Sequence, residues 1–396
     1  MKKALGDITV VDLTRVLSGP FSTMILADFG ARVIHVELPG KGDDSRGFGP
    51  HNNGESGYFM SINRNKEGIT LNMKAEQGKK ILKQLIEKAD VIVENFKPGT
   101  MEKLGFGYED IVKYKPDIIY AACSGFGHTG PYSKRPAYDA IVQAMGGVMS
   151  ITSAKEGGEP TRVGTSIGDI TAGIFTAVGI LTALHYKDTI GEGQKVDVAM
   201  LDCQVAILEN ALSRYFTTGT APKPVGNRHP SVTPLEGFKC ADGEYLIISI
   251  GNDKLWADFC NLVGRPELIV DPRFAKNADR TKNHKEIKPV CDEIMAERTS
   301  DEWSSLLEAN AIPFTRINTV DKVANDPQVL AREMIVEITH PVAGKTKLAG
   351  VPVKLSKSPG QIVKAAPVLG ADTESVLREI GYNAQEIKEL ADQGVI

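Results

Sequence analysis

The residue with the clearest chemical potential is Asp169, which follows Gly168 and precedes an apolar run at 170–186. An aspartate at such a boundary is typical of a helix N-cap, where the carboxylate accepts a backbone N–H. The same position also allows chemistry, because a glycine gives little steric cover and a helix dipole favours an ionised carboxylate. Such a carboxylate can attack a thioester carbonyl and form an acyl anhydride. The two roles are compatible, and the residue pattern alone leaves both open.

A serine motif immediately precedes this aspartate. Residues 164–168 read Gly-Thr-Ser-Ile-Gly, the G-x-S-x-G pattern of the nucleophile elbow in serine hydrolases. An elbow follows a buried strand, and the preceding EPTRV (159–163) is a poor candidate for one. Asp202 and His229 nevertheless stand in the chain order that a hydrolase triad requires. A hydrolase that uses Ser166 is therefore kept as an alternative that the pattern favours less.

A glycine-rich motif at 125–130 has the G-x-G-x-x-G spacing of dinucleotide-binding folds. Such a motif must open a helix, so that the pyrophosphate meets the helix N-terminus. Here Pro131 and Pro136 follow at once, and no acidic residue ends a next strand about 20 residues later. The sequence therefore predicts a loop that contacts a ligand, without an NAD site.

The composition argues against several other classes of function. A formal net charge of -4 argues against broad nucleic-acid binding, although it leaves room for a local basic pocket. The seven histidines form no H-x-x-x-H pair and the five cysteines form no C-x-x-C pair, so no metal site is predicted. Scattered cysteines also argue against a disulfide framework and fit a reducing, cytoplasmic compartment.

No segment is expected to enter a membrane. Asp7 and Asp12 interrupt the apolar stretch near the N-terminus, which argues against a signal peptide. The apolar run at 170–186 is shorter than the ~20 residues that span a bilayer. We predict that it forms a buried core helix.

The elements that must position Asp169 follow a strand–helix alternation. The predicted strands are too continuously apolar for half-exposed hairpins, so burial on both faces is expected; they lie at 8–13, 32–38, 68–73, 90–96 and 117–124. Helical segments separate them, such as the amphipathic run at 75–88. This alternation predicts an α/β fold with a parallel sheet.

Composition changes along the chain predict two domains. The large, Rossmann-like α/β domain is expected to be discontinuous, at 1–216 and 326–396. A segment rich in Pro, Gly and Thr at 217–234 is predicted to be a linker. A smaller α/β domain follows at 235–325, where Thr299 and Glu302 have the spacing of a capping box.

A series of short motifs runs through the whole chain, at 11–13, 19–20, 26–31, 33–37, 63–66, 71–74, 93–99, 125–127, 130–131, 136–139, 168–169, 191–194 and 366–370. Each motif is short, but their order and spacing together resemble the class III CoA-transferases, the family of the formyl-CoA and carnitine CoA-transferases.

This resemblance implies that Asp169 is a catalytic aspartate. Its carboxylate would attack an acyl-CoA to give an aspartyl-acyl anhydride. The released CoA would convert this anhydride into an aspartyl-CoA thioester, and an acceptor acid would then take the CoA from that thioester. The substrates would be acyl-CoA thioesters and small carboxylic acids, with neither a metal nor NAD. The cycle needs a dry site and N–H donors for an oxyanion, and the glycines beside Asp169 and at Gly251 are candidates.

The resemblance also implies the contacts to coenzyme A. The positions that match the family's CoA contacts are Val16, Leu17, Leu71, Met73, Lys74, Asn95, Phe96, Lys97, Lys103 and Leu104. The three lysines would offset phosphate charge, although without the resemblance they would be read as solvated surface lysines. Tyr138 and Asp139 match a pair beside the acyl group, and Gly251 matches a substrate loop.

Two departures from formyl-CoA transferase bear on the substrate. Leu17 stands where that enzyme has glutamine, which removes a polar group near the reacting acyl unit and argues against formyl and oxalate chemistry. Leu38 stands where it has arginine, which weakens a contact to the adenine. The chain therefore resembles the broader family more than this one member.

The main rival within the family is an α-methylacyl-CoA racemase. Racemisation pairs the aspartate with a histidine, and this chain has Tyr138 at that position. A tyrosine, with a pKa near ~10, is a poor base at neutral pH, so transfer is favoured. A CoA-binding module without catalysis would keep the lysines but would not need Asp169. The resemblance also implies an interlocked homodimer, in which each chain threads the other.

Overall fold

The computed structural model describes residues 3–396 and divides the chain into two compact units. The first unit contains the described residues up to Val148, then Val163–Asn210 and Pro327–Ile396. The second contains Met149–Arg162 and Ala211–Asp326. The segments at 149–162 and 211–216 were expected in the large domain, but they belong to the second unit.

The strands in residues 3–396 are β1 (Thr9–Asp12), β2 (Arg32–Glu37), β3 (His51–Asn52), β4 (Glu55–Ser56), β5 (Glu67–Thr70), β6 (Val91–Glu94), β7 (Ile119–Ser124), β8 (Lys195–Ala199), β9 (Leu235–Lys239), β10 (Tyr245–Ser249), β11 (Phe314–Arg316), β12 (Ile335–His340) and β13 (Gly344–Ala349).

The α-helices in the same residues are α1 (Ser18–Asp28), α2 (Gly57–Ile62), α3 (Glu76–Lys88), α4 (Thr100–Leu104), α5 (Tyr108–Ile111), α6 (Asp139–Met145), α7 (Val148–Ile151), α8 (Ile167–Ile190), α9 (Met200–Ala206), α10 (Asn210–Thr218), α11 (Asp253–Leu262), α12 (Glu267–Val270), α13 (Asn277–Lys282), α14 (His284–Met295), α15 (Ser300–Ala309), α16 (Val320–Ala324), α17 (Pro327–Ala331), α18 (Thr373–Glu379) and α19 (Ala384–Asp392). A short 3-10 helix spans Asp44–Gly47.

The first unit is built on a six-stranded sheet with the order β5-β2-β1-β6-β7-β8, and every neighbouring pair is parallel. Alternate strand residues pack into separate apolar clusters. Val10 and Val33 belong to one cluster, whereas Val11 and Ile34 belong to another. Because side chains alternate between the faces of a strand, both faces of the sheet are buried. The prediction of a parallel α/β sheet is confirmed.

The strand order reverses direction between β1 and β6. From β1 the chain moves outward to β2 and β5, then returns to β6 and continues to β7 and β8. The loops that leave β1 and β6 therefore diverge, and in open α/β sheets a crevice for ligands lies at this point. Asn95 joins the two loops: it accepts a hydrogen bond from the Arg15 N–H at 2.8 Å and donates one to the Arg15 carbonyl at 2.7 Å.

Helix α8 packs along α1 within the first unit. A Cβ built on Gly173 would lie 2.7 Å from the Ser18 carbonyl oxygen, so the absence of a side chain lets the two helices approach closely. In residues 3–396, α8 is the one helix whose length and composition could cross a membrane, and half of its most apolar stretch is buried. The core helix predicted from sequence is thus buried on one face, while the other face is exposed.

Two further differences from the sequence expectations concern element ends. Helix α8 begins at Ile167 and has Ser166 as its N-cap residue, so Asp169 lies in the first turn and the N-cap reading was wrong. Residues 200–216 have the apolar pattern of one helix, but they are divided between α9 and α10, with Glu209 at positive φ between the two helices. Because the apolar pattern continues from α9 into α10, the sequence does not indicate where one helix ends and the next begins.

The second unit has its own core beneath the antiparallel sheet β11-β10-β9. Trp256 and Trp303 are fully buried there, and each indole N–H donates to a backbone carbonyl, that of Leu268 and Met295 respectively. The capping box of Thr299 and Glu302 is present at the start of α15, as its spacing predicted.

Candidate active site

Two cavities open at the carboxyl ends of the parallel strands in the first unit. The larger cavity has a volume of about 620 Å³ and is bounded by the ends of β1, β2, β5 and β6 together with α4; its lining residues are Leu13, Thr14, Arg15, His35, Val36, Glu37, Leu38, Lys41, Gly42, Asp43, Asp44, Leu71, Asn72, Met73, Lys74, Phe96, Thr100, Lys103 and Leu104.

The second cavity, here called the Asp169 cavity, has a volume of about 260 Å³. It is bounded by the residues after β1, β6 and β7 and by the start of α8; its lining residues are Arg15, Val16, Leu17, Ser18, Asp44, Asn95, Phe96, Lys97, Pro98, Cys123, Ser124, Gly125, Arg135, Pro136, Ala137, Tyr138, Asp169 and Met200. Arg15, Asp44 and Phe96 line both cavities, which therefore adjoin at the point where the strand order reverses.

The Asp169 carboxylate is positioned by the start of α1 and by α6. Ser18, the first residue of α1, lines the same cavity, and its hydroxyl lowers the pKa of the Asp169 carboxyl. The preceding residue, Gly168, donates its N–H to Asp139 Oδ1 at 2.8 Å. A Cβ on Gly168 would lie 2.6 Å from Val142 Cγ2 and 3.0 Å from Asp139 Oδ1, so a side chain there would collide with α6. Gly168 thus allows the close contact that fixes the first turn of α8.

Burial raises the pKa of the Asp169 carboxyl to about 7. The negative charge of Asp139 acts in the same direction, and the hydrogen bond from Ser18 opposes both. The sequence argument expected the helix dipole to keep this group ionised, and that expectation was wrong, because a dipole contributes only about 0.3–1 kcal/mol at a first turn. A partly desolvated carboxyl with a pKa of about 7 is about half ionised at neutral pH, and its ionised form is well suited to act as a nucleophile.

We expect kcat/KM for acyl transfer to fall about tenfold for each pH unit below 7 and to level off above it. The ionised form of Asp169 is the nucleophile, and a pKa raised to about 7 means that this form is lost as the pH falls through that value. Asp139→Asn removes a neighbouring negative charge and should move the midpoint to lower pH. The expected shift of the midpoint is about one pH unit, and rate measurements between pH 5 and 9 check it.

The matched control for that pH profile is Asp202→Asn. Asp202 is an exposed aspartate in the first turn of α9, outside both cavities, so its change should leave the midpoint in place. A wild-type midpoint near the ordinary aspartate pKa of about 4 would contradict the environment described for Asp169.

The larger cavity is lined by Arg15, Lys41, Lys74 and Lys103. Lys41 and Arg15 both face Asp44, at 2.7 and 3.8 Å. By contrast, Lys74, Lys97 and Lys103 form no ion pair within residues 3–396, although Lys97 lines the Asp169 cavity and the other two line the larger one. Cations at a cavity wall without a protein partner favour an anionic ligand such as a phosphate.

The structure brings the residues predicted to contact CoA into one continuous region. Leu71, Met73, Lys74, Lys103 and Leu104 line the larger cavity. The others line the Asp169 cavity: Val16, Leu17, Asn95, Phe96 and Lys97, of which Phe96 reaches both.

The three predicted substrate contacts have different locations. Tyr138 lines the Asp169 cavity and is 74% exposed. Asp139 is buried and does not line that cavity; it supports Gly168 and accepts a hydrogen bond from Gln143 at 2.8 Å. Gly251 belongs to the second unit and lines neither cavity. Gly168, named as an oxyanion donor, already gives its N–H to Asp139.

Sequence analysis did not single out several polar residues of the region, among them Arg15, Ser18 and Arg135. Arg15 stands in the loop after β1, Ser18 is the first residue of α1, and Arg135 stands in the loop between β7 and α6. A loop at the carboxyl end of a parallel strand was a usable signal for Arg15 and Ser18. No local pattern indicated Arg135, because its loop is brought to the cavity by the fold.

Two other nucleophiles can be weighed at this site. Ser166 lines neither cavity, and no strand directly precedes it in the described chain, as an elbow would require. Cys123 lines the Asp169 cavity, but burial raises the pKa of its thiol to about 11, which keeps it protonated at neutral pH. Asp169 is therefore the nucleophile that the geometry favours.

Residues 5–373 match the sequence model of CoA-transferase family III. The chain belongs to CoA-transferase family III. An acetyl-CoA:oxalate CoA-transferase of Acetobacter aceti is 43% identical over 356 residues, which cover 90% of each chain. A succinyl-CoA:glutarate CoA-transferase of Mus musculus is 41% identical over 396 residues, covering 100% of this chain and 90% of that one.

Solved structures agree with this assignment. A CAIB/BAIF family protein from Brucella suis has a TM-score of 0.85 at 34% identity, covering 96% of this chain and 100% of that one. The Rv3272 protein of Mycobacterium tuberculosis has a TM-score of 0.84 at 30% identity, covering 94% and 98%. This CoA-transferase moves CoA from an acyl-CoA to a carboxylic acid, and the predicted class of enzyme is confirmed.

Proposed function

We propose that this CoA-transferase works by covalent catalysis at Asp169. The observation that carries the proposal is the location of this carboxylate: it lines a small cavity that shares a wall with a larger cavity bearing unpaired lysines. The phosphate-bearing end of CoA fits the larger cavity, and the pantetheine arm passes Arg15 and Phe96 to bring the thioester to Asp169. The arrangement supports attack by the carboxylate on a thioester held in that position.

The proposed cycle has four balanced steps. The Asp169 carboxylate attacks the donor thioester carbonyl, and the C–S bond breaks to give an aspartyl-acyl anhydride and CoA thiolate. The thiolate attacks the Asp169 carbonyl carbon, releasing the donor acid and leaving an aspartyl-CoA thioester. The acceptor carboxylate attacks that thioester, giving a new anhydride and thiolate. The thiolate then attacks the acceptor carbonyl, so that new acyl-CoA leaves and the Asp169 carboxylate is restored.

The surroundings of Asp169 suit this cycle. Burial around the carboxyl limits its hydration, which increases its nucleophilicity and protects the anhydride and thioester from water. The Ser18 hydroxyl lines the same cavity and favours the ionised form of Asp169, which is the form that attacks. Incubation with a panel of acyl-CoAs and carboxylates, followed by mass spectrometry, tests the activity: acceptor-CoA should form without net thioester loss, and hydrolysis without exchange would contradict it.

Replacing Lys74 or Lys103 with alanine should raise KM for an acyl-CoA about five- to tenfold and leave kcat nearly unchanged. Each lysine would contact phosphate equally in the bound and transition states, so its loss affects uniform binding. Steady-state kinetics check this with acyl-CoA and with the corresponding acyl-pantetheine, which lacks the nucleotide. Lys80→Ala, an exposed lysine outside both cavities, is the control. Equal effects on both donors would contradict the placement of CoA.

We propose that the acceptor is a dicarboxylic acid. The relatives named for oxalate and glutarate act on dicarboxylates, and the Asp169 cavity of this chain contains Arg135. The Arg135 guanidinium lies 3.9 Å from the ring centre of Tyr132 and forms no ion pair within residues 3–396. It could therefore bind the carboxylate that does not react. The sequence argument against oxalate rests on Leu17 alone, and a relative named for oxalate keeps that acid among the candidates.

Arg135→Ala should lower kcat/KM for a dicarboxylic acceptor about 10- to 100-fold, because a charge-assisted hydrogen bond is lost. A monocarboxylic acid of equal length should lose little. Competition between glutarate and valerate for one acyl-CoA measures both rates in a single reaction. Lys134→Ala changes the preceding exposed cation, which lines neither cavity, and should leave the ratio unchanged. An unchanged ratio in Arg135→Ala would contradict this role.

We also propose a cytoplasmic, interlocked homodimer. Support comes from the exposed face of α8, where large apolar side chains recur at helical spacing: Ile174, Phe175, Val178 and Leu181. A second copy of the chain would cover this face. Sedimentation at nanomolar concentration tests the proposal, since an interlocked pair should persist and a monomer would contradict it.

A further inference from the structure

Val16, which lines the Asp169 cavity, has an unusual backbone conformation. Its φ is +66°, in the left-handed region that a β-branched residue rarely adopts. Such a conformation costs on the order of 1–3 kcal/mol and persists only where its surroundings enforce it. Two residues later, Ser18 lines the same cavity as Asp169 and its hydroxyl lowers the pKa of that carboxyl, so the conformation of Val16 affects the surroundings of the nucleophile.

Asp43 supplies the contact that holds Val16. Its Oδ2 and Oδ1 lie 3.0 and 3.2 Å from the Val16 nitrogen, which donates to them. Asp43 is only 3% exposed, and its Oδ1 also accepts from the Ser45 N–H and hydroxyl at 2.7 and 2.8 Å. The carboxylate is therefore fixed before it meets Val16.

A second layer of contacts fixes Asp43 in turn. Its backbone N–H donates to Glu37 Oε2 at 2.9 Å, and Arg46 holds both Glu37 oxygens at 2.7 Å. Arg46 also donates to the Pro367 carbonyl at 3.0 Å. These contacts extend from the loop after β2 to Val16 and so connect the two cavities through the protein.

The loop that carries Asp43 belongs to the wall of the larger cavity. Leu38, Lys41, Gly42, Asp43 and Asp44 all line that cavity, whereas Val16 and Ser18 line the Asp169 cavity. A ligand that orders this loop therefore acts, through Asp43, on the segment that positions Asp169. Binding energy from a remote part of a substrate is commonly used in this way to orient a reacting group.

We infer that Asp43 is a positioning residue, which couples the nucleotide end of bound CoA to the geometry of Asp169 by holding Val16 in its left-handed conformation. The inference rests on the proposed placement of CoA and on Asp169 as nucleophile. It adds that the larger cavity contributes to kcat as well as to affinity.

The test compares wild type, Asp43→Ala, Val16→Gly and the double variant, each with acyl-CoA and with acyl-pantetheine. Asp43→Ala should lower kcat for acyl-CoA about 10- to 100-fold, as expected for a misplaced reacting group. Glycine adopts positive φ without a partner, so Val16→Gly should restore most of that loss in the double variant. Removing the nucleotide should lower kcat in wild type, and by a much smaller factor in Asp43→Ala.

A merely structural role for Asp43 would give different results. The double variant would then be no more active than Asp43→Ala, and removal of the nucleotide would lower kcat by the same factor with and without Asp43; either result overturns the inference. If Asp43→Ala does not fold, Asp43→Asn serves instead. Its remaining side-chain oxygen can still accept a hydrogen bond from the Val16 N–H, so a kcat near that of wild type is expected. A complete loss of activity in Asp43→Asn overturns the inference. Failure of the proposed function is recognised separately, because Asp169→Ala would then retain transfer.

Discussion

Replacing Asp169 with alanine is expected to lower kcat for CoA transfer by about 10⁴-fold or more. The variant lacks the carboxyl group whose oxygen forms the anhydride and whose carbon forms the aspartyl-CoA thioester. Neither rival nucleophile weighed above offers a substitute, because the Cys123 thiol stays protonated and Ser166 lies outside both cavities. Binding of acyl-CoA should persist, since the cations of the larger cavity are unchanged. Exchange of labelled CoA between two acids measures the first effect, and isothermal titration with CoA measures the second.

The control for this variant is Asp202→Ala, which makes the same change in the first turn of α9. Asp202 is exposed and lines neither cavity, so its variant should transfer CoA at the wild-type rate. If Asp169→Ala kept full exchange, covalent catalysis at this residue would be excluded. If it lost CoA binding as well, the residue would have a structural role that the geometry does not indicate.

The second large effect is expected for Gly168→Ala, with a fall in kcat of about 100-fold. The added Cβ would lie 2.6 Å from Val142 Cγ2 and 3.0 Å from Asp139 Oδ1, so α6 and the first turn of α8 must separate. That movement displaces the adjacent Asp169 and strains the hydrogen bond from the Gly168 N–H to Asp139. A displacement of about 1 Å can cost this much in rate even when the reacting groups are intact.

Gly164→Ala provides the matched comparison for this change. It lies four residues earlier, and a Cβ built there meets no atom within 4 Å. The variant should therefore keep the wild-type kcat. Thermal unfolding separates misplacement from general instability, because Gly168→Ala should lose far more activity than its fraction of folded protein predicts. Equal kcat values for the two variants would show that the contact with α6 does not position the nucleophile.

The sheet could be predicted because each strand carries its own signal. Apolar runs such as 32–38 and 117–124 are continuous, which indicates burial on both faces and hence a parallel arrangement. The hairpin of β12 and β13 was not predicted. Ten of its twelve strand residues are exposed or half-buried, and they include Lys345 and Lys347, so no continuous apolar run distinguishes them from a loop.

The position of Asp169 could be inferred from sequence, whereas its electrostatic state could not. A local pattern shows that an aspartate stands near the start of an apolar helix, and a dipole argument then suggests a stabilised carboxylate. Burial by residues distant in sequence reverses that result. The negative charge of Asp139 lies 30 positions away in the chain, and only the packing of α6 against α8 brings it close.

The network around Asp43 is also beyond a reading of the chain alone. It combines a loop after β2, a loop after β1 and a segment near the C-terminal end of the first unit, at Pro367. Neither the positive φ of Val16 nor its partner is indicated by residue type, since valine normally disfavours that conformation. Such contacts arise where the fold holds a strained residue in place.

The central claim is that one oxygen of Asp169 passes through the acyl anhydride, and an oxygen-18 experiment tests it most directly. The enzyme is turned over with an acyl-CoA donor and an acceptor acid whose carboxylate is fully labelled, and the peptide that contains residue 169 is then examined by mass spectrometry. The attacking oxygen of the acceptor becomes the bridging atom of the second anhydride. It stays with the enzyme when the thiolate attacks the acceptor carbonyl, so oxygen-18 is expected in the side chain of Asp169. Turnover that leaves this peptide unlabelled would contradict it.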